Sequence, residues 1–189
     1  MERIILASAS PRRKQLLEWA EIPFDILVKE TDELYPSTLA IDQVPVYIAR
    51  NKALGVQDEL NHNRIILAAD TIVVLKEEVI GKPANREAAI ETLLKLSGQT
   101  HNVITGVILM NGDKEVSFSD ITEVEFHTLT QAQIQYYVDQ YQPYDKAGAY
   151  AIQEWIGVIG IKKVIGDFYN VMGLPVSRVV KALKDFQIH

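Results

Sequence analysis

The segment from Arg3 to Leu17, Arg-Ile-Ile-Leu-Ala-Ser-Ala-Ser-Pro-Arg-Arg-Lys-Gln-Leu-Leu, restricts the fold more than any other. Its short apolar run, Ile4 to Ala7, reads as a buried strand bounded by small polar residues. Ser10 followed by Pro11 supplies an N-cap and a first-turn proline, so a helix begins there, with Leu16, Leu17 and Ala20 as its apolar stripe. Strand, tight turn and helix in that order open an α/β chain. The helix N-terminus carries Arg12, Arg13 and Lys14, beside backbone N–H groups that have no helical partner. Phosphate fits such a place. The other reading is a surface helix whose basic residues face water. Cations in a first turn oppose the helix dipole, which favours the anion site.

A second run, Ile65 to Leu75, has the β-branched richness of a central strand, yet Asp70 and Thr71 stand in its middle. A carboxylate there is unfavourable unless it is paired, bound to metal or placed at an opening in the sheet. The alternative is a strand end with Asp70 starting a turn. Neither Gly nor Pro follows, and the apolar pattern resumes at Ile72, so Asp70 is the leading candidate for a functional carboxylate.

The rest of the chain supplies further strands and helices. Phe24 to Val28 is a strand candidate, followed by a polar loop over 29–38 that contains Glu30, Asp32 and Glu33. A helix is expected from about Val44 to Leu60, capped by Asp42, with Val46, Ala49, Ala53, Val56 and Leu60 inward and Lys52 off that stripe. Gly81-Lys82-Pro83 marks a turn, and Asn85 caps a helix to Leu96 that Gly98 stops. His101–Met110 and Glu115–His127 read as long strands joined at Asn111-Gly112, a hairpin signal. Thr130 and Gln133 form a capping box for a helix to Tyr141. Val158 to Val164 reads as a strand, Gly166 to Pro175 as a glycine-punctuated loop. Pro175 then opens a last helix with Val176, Val179, Val180 and Leu183 inward. βα units combined with one long hairpin give an α/β fold with a mixed sheet.

Three cations, Arg13, Lys52 and Lys82, and two carboxylates, Glu33 and Asp70, fall in the N-terminal half. Cations that hold a polyphosphate and carboxylates that hold a magnesium-like ion are what phosphoryl-group hydrolysis requires. Lys82 between two turn residues reads equally as an exposed lysine, and Glu33 as a solvated one. There is no GxxxxGK[ST], so a P-loop is excluded. His62, His101, His127 and His189 show no metal-ligand spacing and receive no role, and Tyr136, Tyr137 and Tyr141 at helical spacing read as packing. A net charge of −6 and a pI near 5.2 argue against nucleic-acid or anionic-membrane partners, so phosphate recognition must be local. With no cysteine, no secretory h-region and no apolar run of about 20 residues, a soluble, cytoplasmic protein is expected. Its 189 residues fit one domain, or one domain of two lobes.

The segments Leu6-Ala-Ser-Ala-Ser-Pro-Arg-Arg, Ala69-Asp-Thr, Gly81-Lys-Pro, Ser97-Gly, Thr105-Gly, Asp145-Lys-Ala-Gly-Ala-Tyr-Ala-Ile-Gln and Gly166-Asp-Phe-Tyr-Asn-Val-Met-Gly-Leu-Pro together resemble the Maf family. They run from residue 6 to residue 175, nearly the whole chain. The resemblance implies an elongated mixed sheet with a cleft between two lobes, similar to the inosine-triphosphate pyrophosphatase fold. It implies a nucleoside triphosphate pyrophosphatase in which Ser8, Arg13, Lys52 and Lys82 line the triphosphate site. Glu33 and Asp70 would hold a divalent cation, Mg2+ or Mn2+, with Asp70 also activating water; Asp32 and Glu30 are alternatives to Glu33. Arg12, Thr71 and Gln153 match the positions that tune substrate choice in the dTTP/UTP subgroup, and a homodimer is the assembly such families often adopt. A glutamine amide offers both a donor and an acceptor to the N3–H and carbonyl edge of thymine or uracil. The family's link to septum formation suggests the rival, a nucleotide-binding regulator of cell division with incidental hydrolysis. Hydrolysis of purine triphosphates such as ITP is a weaker reading, against which Thr71 and Gln153 speak.

Overall fold

A computed structural model describes residues 3–60 and 64–186, so His62 and His189 lie outside the described residues. The strands are β1 (Ile4–Leu6), β2 (Phe24–Ile26), β3 (Ile66–Leu75), β4 (Glu78–Ile80), β5 (Thr100–Asn111), β6 (Lys114–Phe126) and β7 (Ile161–Ile165). They form a central mixed sheet in the order β2-β1-β3-β5-β6-β7, with β4 on β3. β1 is parallel to β2 and β3, whereas β4 on β3 and β7 on β6 are antiparallel. The flanking helices are α1 (Pro11–Trp19), α2 (Val44–Gln57), α3 (Arg86–Leu96), α4 (Gln131–Tyr141), α5 (Trp155–Gly160), α6 (Phe168–Met172) and α7 (Val176–Lys184). Among the described residues no helix is long and apolar enough to cross a membrane.

The chain divides into two compact units. Of the described residues, the first comprises 3–60, 64–70, 105–120 and 173–186, and the second 71–104 and 121–172. In the first, Ile5 and Ala7, Ile66 and Ala68, and Ile108 and Met110 alternate along their strands and present one face to Ala49, Ala53 and Val56 of α2. Gly106 lets α2 come close, because a Cβ there would run into the backbone of Pro45 and Val46. In the second unit α3 and α4 pack on each other, their caps as the sequence indicates. The Asn85 side chain accepts from Ala88 N–H, and Thr130 with Gln133 forms a complete capping box. The hairpin turns at Gly112, whose φ of +58° suits glycine.

Three local expectations are corrected. Residues 158–160 lie in α5, not in a strand, and only Ile161–Ile165 is extended. A short apolar run does not distinguish helix from strand by periodicity, and backbone N–H groups of Gly157 and Val158 both donate to the Glu154 carbonyl. The cap residue of α2 is Gln43 rather than Asp42, and it makes no side-chain cap bond. A proline in the first turn leaves one N–H fewer to satisfy there. On α7 the buried stripe is Val179, Ala182 and Leu183; Val180 is exposed.

Candidate active site

Alternation along β3 puts Asp70 on the face already occupied by Ile66 and Ala68, the face that α2 covers. Lys52 stands one position before Ala53 on α2, at the edge of its buried stripe. Its ammonium donates to Asp70 Oδ1 at 2.7 Å and to Glu33 Oε1 at 2.9 Å. One cationic nitrogen thus joins a buried carboxylate, Asp70 at 9% exposure, to a carboxylate on the polar loop. The buried aspartate in an apolar strand, unfavourable by itself, is compensated by that charge-assisted pair.

The small-residue turn after β1 builds the other half of the set. Ser10 caps α1 by accepting from Arg13 N–H, as the Ser-Pro step indicates. The Arg13 side chain is 8% exposed and turns back, donating through Nη1 to Ser8 Oγ at 3.0 Å and through Nε to the Gly173 carbonyl at 2.8 Å. Burial lowers its pKa to about 10, opposed by the Asp70 carboxylate, so the guanidinium stays charged at neutral pH. Arg12 further lowers it and Glu33 raises it, which places these charges in one electrostatic neighbourhood. Arg12 itself is half-buried, and Lys14 pairs with Glu18 on the exposed face.

Ser8, Arg12, Arg13, Glu33, Lys52 and Asp70 therefore all belong to the first unit, and Thr71, Lys82 and Gln153 to the second. Thr71 is half-buried on β3, whereas Lys82 and Gln153 are exposed. The turn bearing Lys82 is tied to the Lys146–Tyr150 segment by Gly148 N–H donating to the Gly81 carbonyl at 3.2 Å. Gly148 has φ +72° and lies against Val73, 3.0 Å from where a Cβ would reach, so this segment needs a residue without a side chain.

Sequence reasoning missed several supporting groups. The Gly173 carbonyl that fixes Arg13 sits in the glycine-punctuated stretch, which had no assigned role. The same stretch contains α6 and the fully buried Asn170, whose amide donates to the Val103 carbonyl at 3.1 Å and to Thr122 Oγ1 at 3.0 Å. Tyr137, at a helical spacing that reads as packing, is fully buried and also bonds through its hydroxyl to Glu154 and to Ala151 N–H. His101, left without a role, is buried with Nε2 2.7 Å from Tyr150 Oη.

Known proteins resemble this chain along nearly its whole length. The family model described as Maf-like protein matches residues 3–186. A "dTTP/UTP pyrophosphatase" of Cytophaga hutchinsonii is 52% identical over 96% of this chain and 83% of its own length. Proteins of the same name from Parabacteroides distasonis and Bacillus cereus are 48% and 45% identical, over 97% and 100% of this chain and 96% and 97% of theirs. Among solved structures, the Ham1 protein of Staphylococcus aureus superposes with a TM-score of 0.47 at 15% identity, covering 66% of this chain and 72% of that one.

Proposed function

We propose, for a chain that belongs to the Maf family, the hydrolysis of dTTP and UTP to the nucleoside monophosphate and pyrophosphate. The observation that carries the reading is Asp70, a carboxylate buried in an apolar strand and held 2.7 Å from the Lys52 ammonium, with the buried Arg13 guanidinium in its electrostatic neighbourhood. Relatives of 45–52% identity that bear the name dTTP/UTP pyrophosphatase along nearly the full chain support it.

In this reading Ser8, Arg13, Lys52 and Lys82 bind the triphosphate, the cations neutralising charge that builds up on the phosphoryl oxygens. Asp70 takes a proton from the attacking water. Glu33 and Asp70 suit a divalent ion, Mg2+ or Mn2+: their carboxylate oxygens already share one cationic partner and are the hard donors such ions take. Among the described residues no group of three or more His, Asp or Glu side chains could hold a metal, so water and substrate phosphates would complete the coordination. The ion, when bound, supplies charge neutralisation at the phosphoryl group. Arg12, Thr71 and Gln153 select the base, Gln153 by pairing its amide with the donor and acceptor edge of uracil or thymine. The two units stand for the two lobes of one domain, with the protein acting as a cytoplasmic homodimer on free nucleotides rather than on a nucleic acid or a membrane. Its acidic net charge of −6 supports the last point.

The test is pyrophosphate release from dTTP, UTP, CTP, dITP and GTP, with and without Mg2+ or Mn2+. Metal-dependent release from dTTP and UTP is expected. Equal release from all five would discard the base-selection roles, and no release would leave only nucleotide binding.

A further inference from the structure

Gln153 is exposed, and the bonds described around it are those of its neighbours. Glu154 N–H donates to the Ala151 carbonyl at 3.1 Å, so residues 151–154 form a β-turn with Gln153 at its third position. An exposed residue at the tip of a turn has a fixed direction only if both ends of the turn are fixed. Here both ends meet the same atom. The Tyr137 hydroxyl accepts from Ala151 N–H at 3.2 Å and donates to a Glu154 carboxylate oxygen. The phenol rises from α4 and is fully buried, its ring stacked on Tyr141 with centroids 5.0 Å apart. The second Glu154 oxygen lies 3.7 Å from the Lys146 ammonium, so the carboxylate is held from two sides. Ile152, inside the turn, is buried.

We infer that Tyr137 is a positioning residue for base selection, its hydroxyl stapling the two ends of the turn that presents Gln153. This rests on the proposed pairing of Gln153 with the pyrimidine edge. Packing alone needs only the ring; the hydroxyl is what the turn uses. Removing it frees the Ala151 N–H and one Glu154 oxygen and leaves the ring stack in place. The Gln153 amide then samples more orientations, and discrimination that depends on its direction falls.

The experiment compares kcat and KM for UTP and CTP in the native protein, Tyr137→Phe, Gln153→Ala and the double variant, with a thermal melt of each. Tyr137→Phe should lower the UTP:CTP ratio of kcat/KM about five-fold, the scale of one hydrogen bond. The loss should lie in KM for UTP, with kcat nearly unchanged. The double variant should be no less selective than Gln153→Ala alone, because the hydroxyl acts through that side chain. If Tyr137→Phe does not fold, Glu154→Ala removes the other end of the staple and should lower the ratio in the same way. An unchanged ratio in a folded Tyr137→Phe, or an equal loss for both nucleotides, overturns the staple while Gln153→Ala still loses selectivity. A Gln153→Ala variant as selective as the native protein overturns the pairing on which the staple rests.

Discussion

The first unit fixes its functional side chains by ion pairs, the second mainly by buried hydroxyls and rings, with the Lys146–Glu154 pair beside them. Around Asp70, the Lys52 ammonium joins two carboxylates at 2.7 and 2.9 Å, and Arg13 adds a second cation. Around the turn of Gln153, the anchors are the Tyr137 hydroxyl, the His101–Tyr150 bond at 2.7 Å and the ring of Phe126, which packs on both His101 and Tyr150. Ion pairs at a partly wet site can exchange partners when a charged ligand arrives, because each group keeps its charge and finds another. Phenols and an imidazole sealed in a core cannot, since each broken bond leaves a buried polar atom unpaired. The charged set is thus suited to binding and reaction, and the sealed set to holding a shape that discriminates.

The largest effect should follow from removing charge at the first set. Asp70→Asn keeps the volume and an acceptor oxygen but can no longer accept a proton from water. Turnover should fall by about 10²- to 10⁴-fold, the usual range for a general base, in a variant whose circular dichroism matches the native protein. Full turnover in a folded Asp70→Asn would reduce the cluster to a structural ion pair and end the contrast between the units.

This contrast also governs what the sequence disclosed. The βα start, the two caps at Asn85 and Thr130 and the hairpin at Asn111-Gly112 were legible because each depends on neighbouring residues with fixed local chemistry. Asp70 stood out because a charge inside an apolar run is costly wherever the rest of the chain goes. Residues 158–160 of α5 read as strand in sequence because the run from Val158 to Val164 is largely apolar and β-branched and its periodicity spans too few positions. Tyr137, His101 and Asn170 could not be assigned, since their partners lie 14, 49 and 67 residues away in Ala151, Tyr150 and Val103. A polar residue that completes a distant network looks, in sequence, like an ordinary core or surface residue. Lys52 is legible in sequence only as one of three cations in the N-terminal half, and its bridge between two carboxylates is information that only the fold supplies.

The next effect sharpens the description of the second unit as sealed. Burial lowers the His101 pKa from 6.5 to about 4, so in the folded protein the ring stays neutral through the mildly acidic range. The unfolded chain protonates it below about 6.5. Between these two values the unfolded state binds the extra proton, so stability falls as pH falls; above 6.5 the group contributes nothing to the slope. The full difference is about 3 kcal/mol. His101→Gln keeps a hydrogen-bonding group toward Tyr150 without a titrating ring. Urea unfolding at pH 7.5 and 4.5 should show the native protein losing about 2–3 kcal/mol more than this variant. Equal losses would mean that protons reach the imidazole in the folded state and that the unit is not sealed.

The smallest effect bears on whether the charged set exchanges partners. Lys52 Nζ donates to the same two carboxylates that are proposed to hold the divalent ion, so ammonium and ion compete for Glu33 and Asp70. Lys52→Met retains much of the aliphatic stem, about a fifth of the lysine side chain being exposed at 19%, and removes the competing charge. Calorimetric titration with Mn2+ alone, without nucleotide, should then give binding about ten-fold tighter than in the native protein, equivalent to about 1.4 kcal/mol. The same variant should release pyrophosphate more slowly, because a cation proposed to bind the triphosphate has gone. Binding weaker than native would mean that Lys52 holds the two carboxylates in place for the ion rather than competing with it. The first unit would then be a fixed scaffold like the second, built from charges in place of phenols.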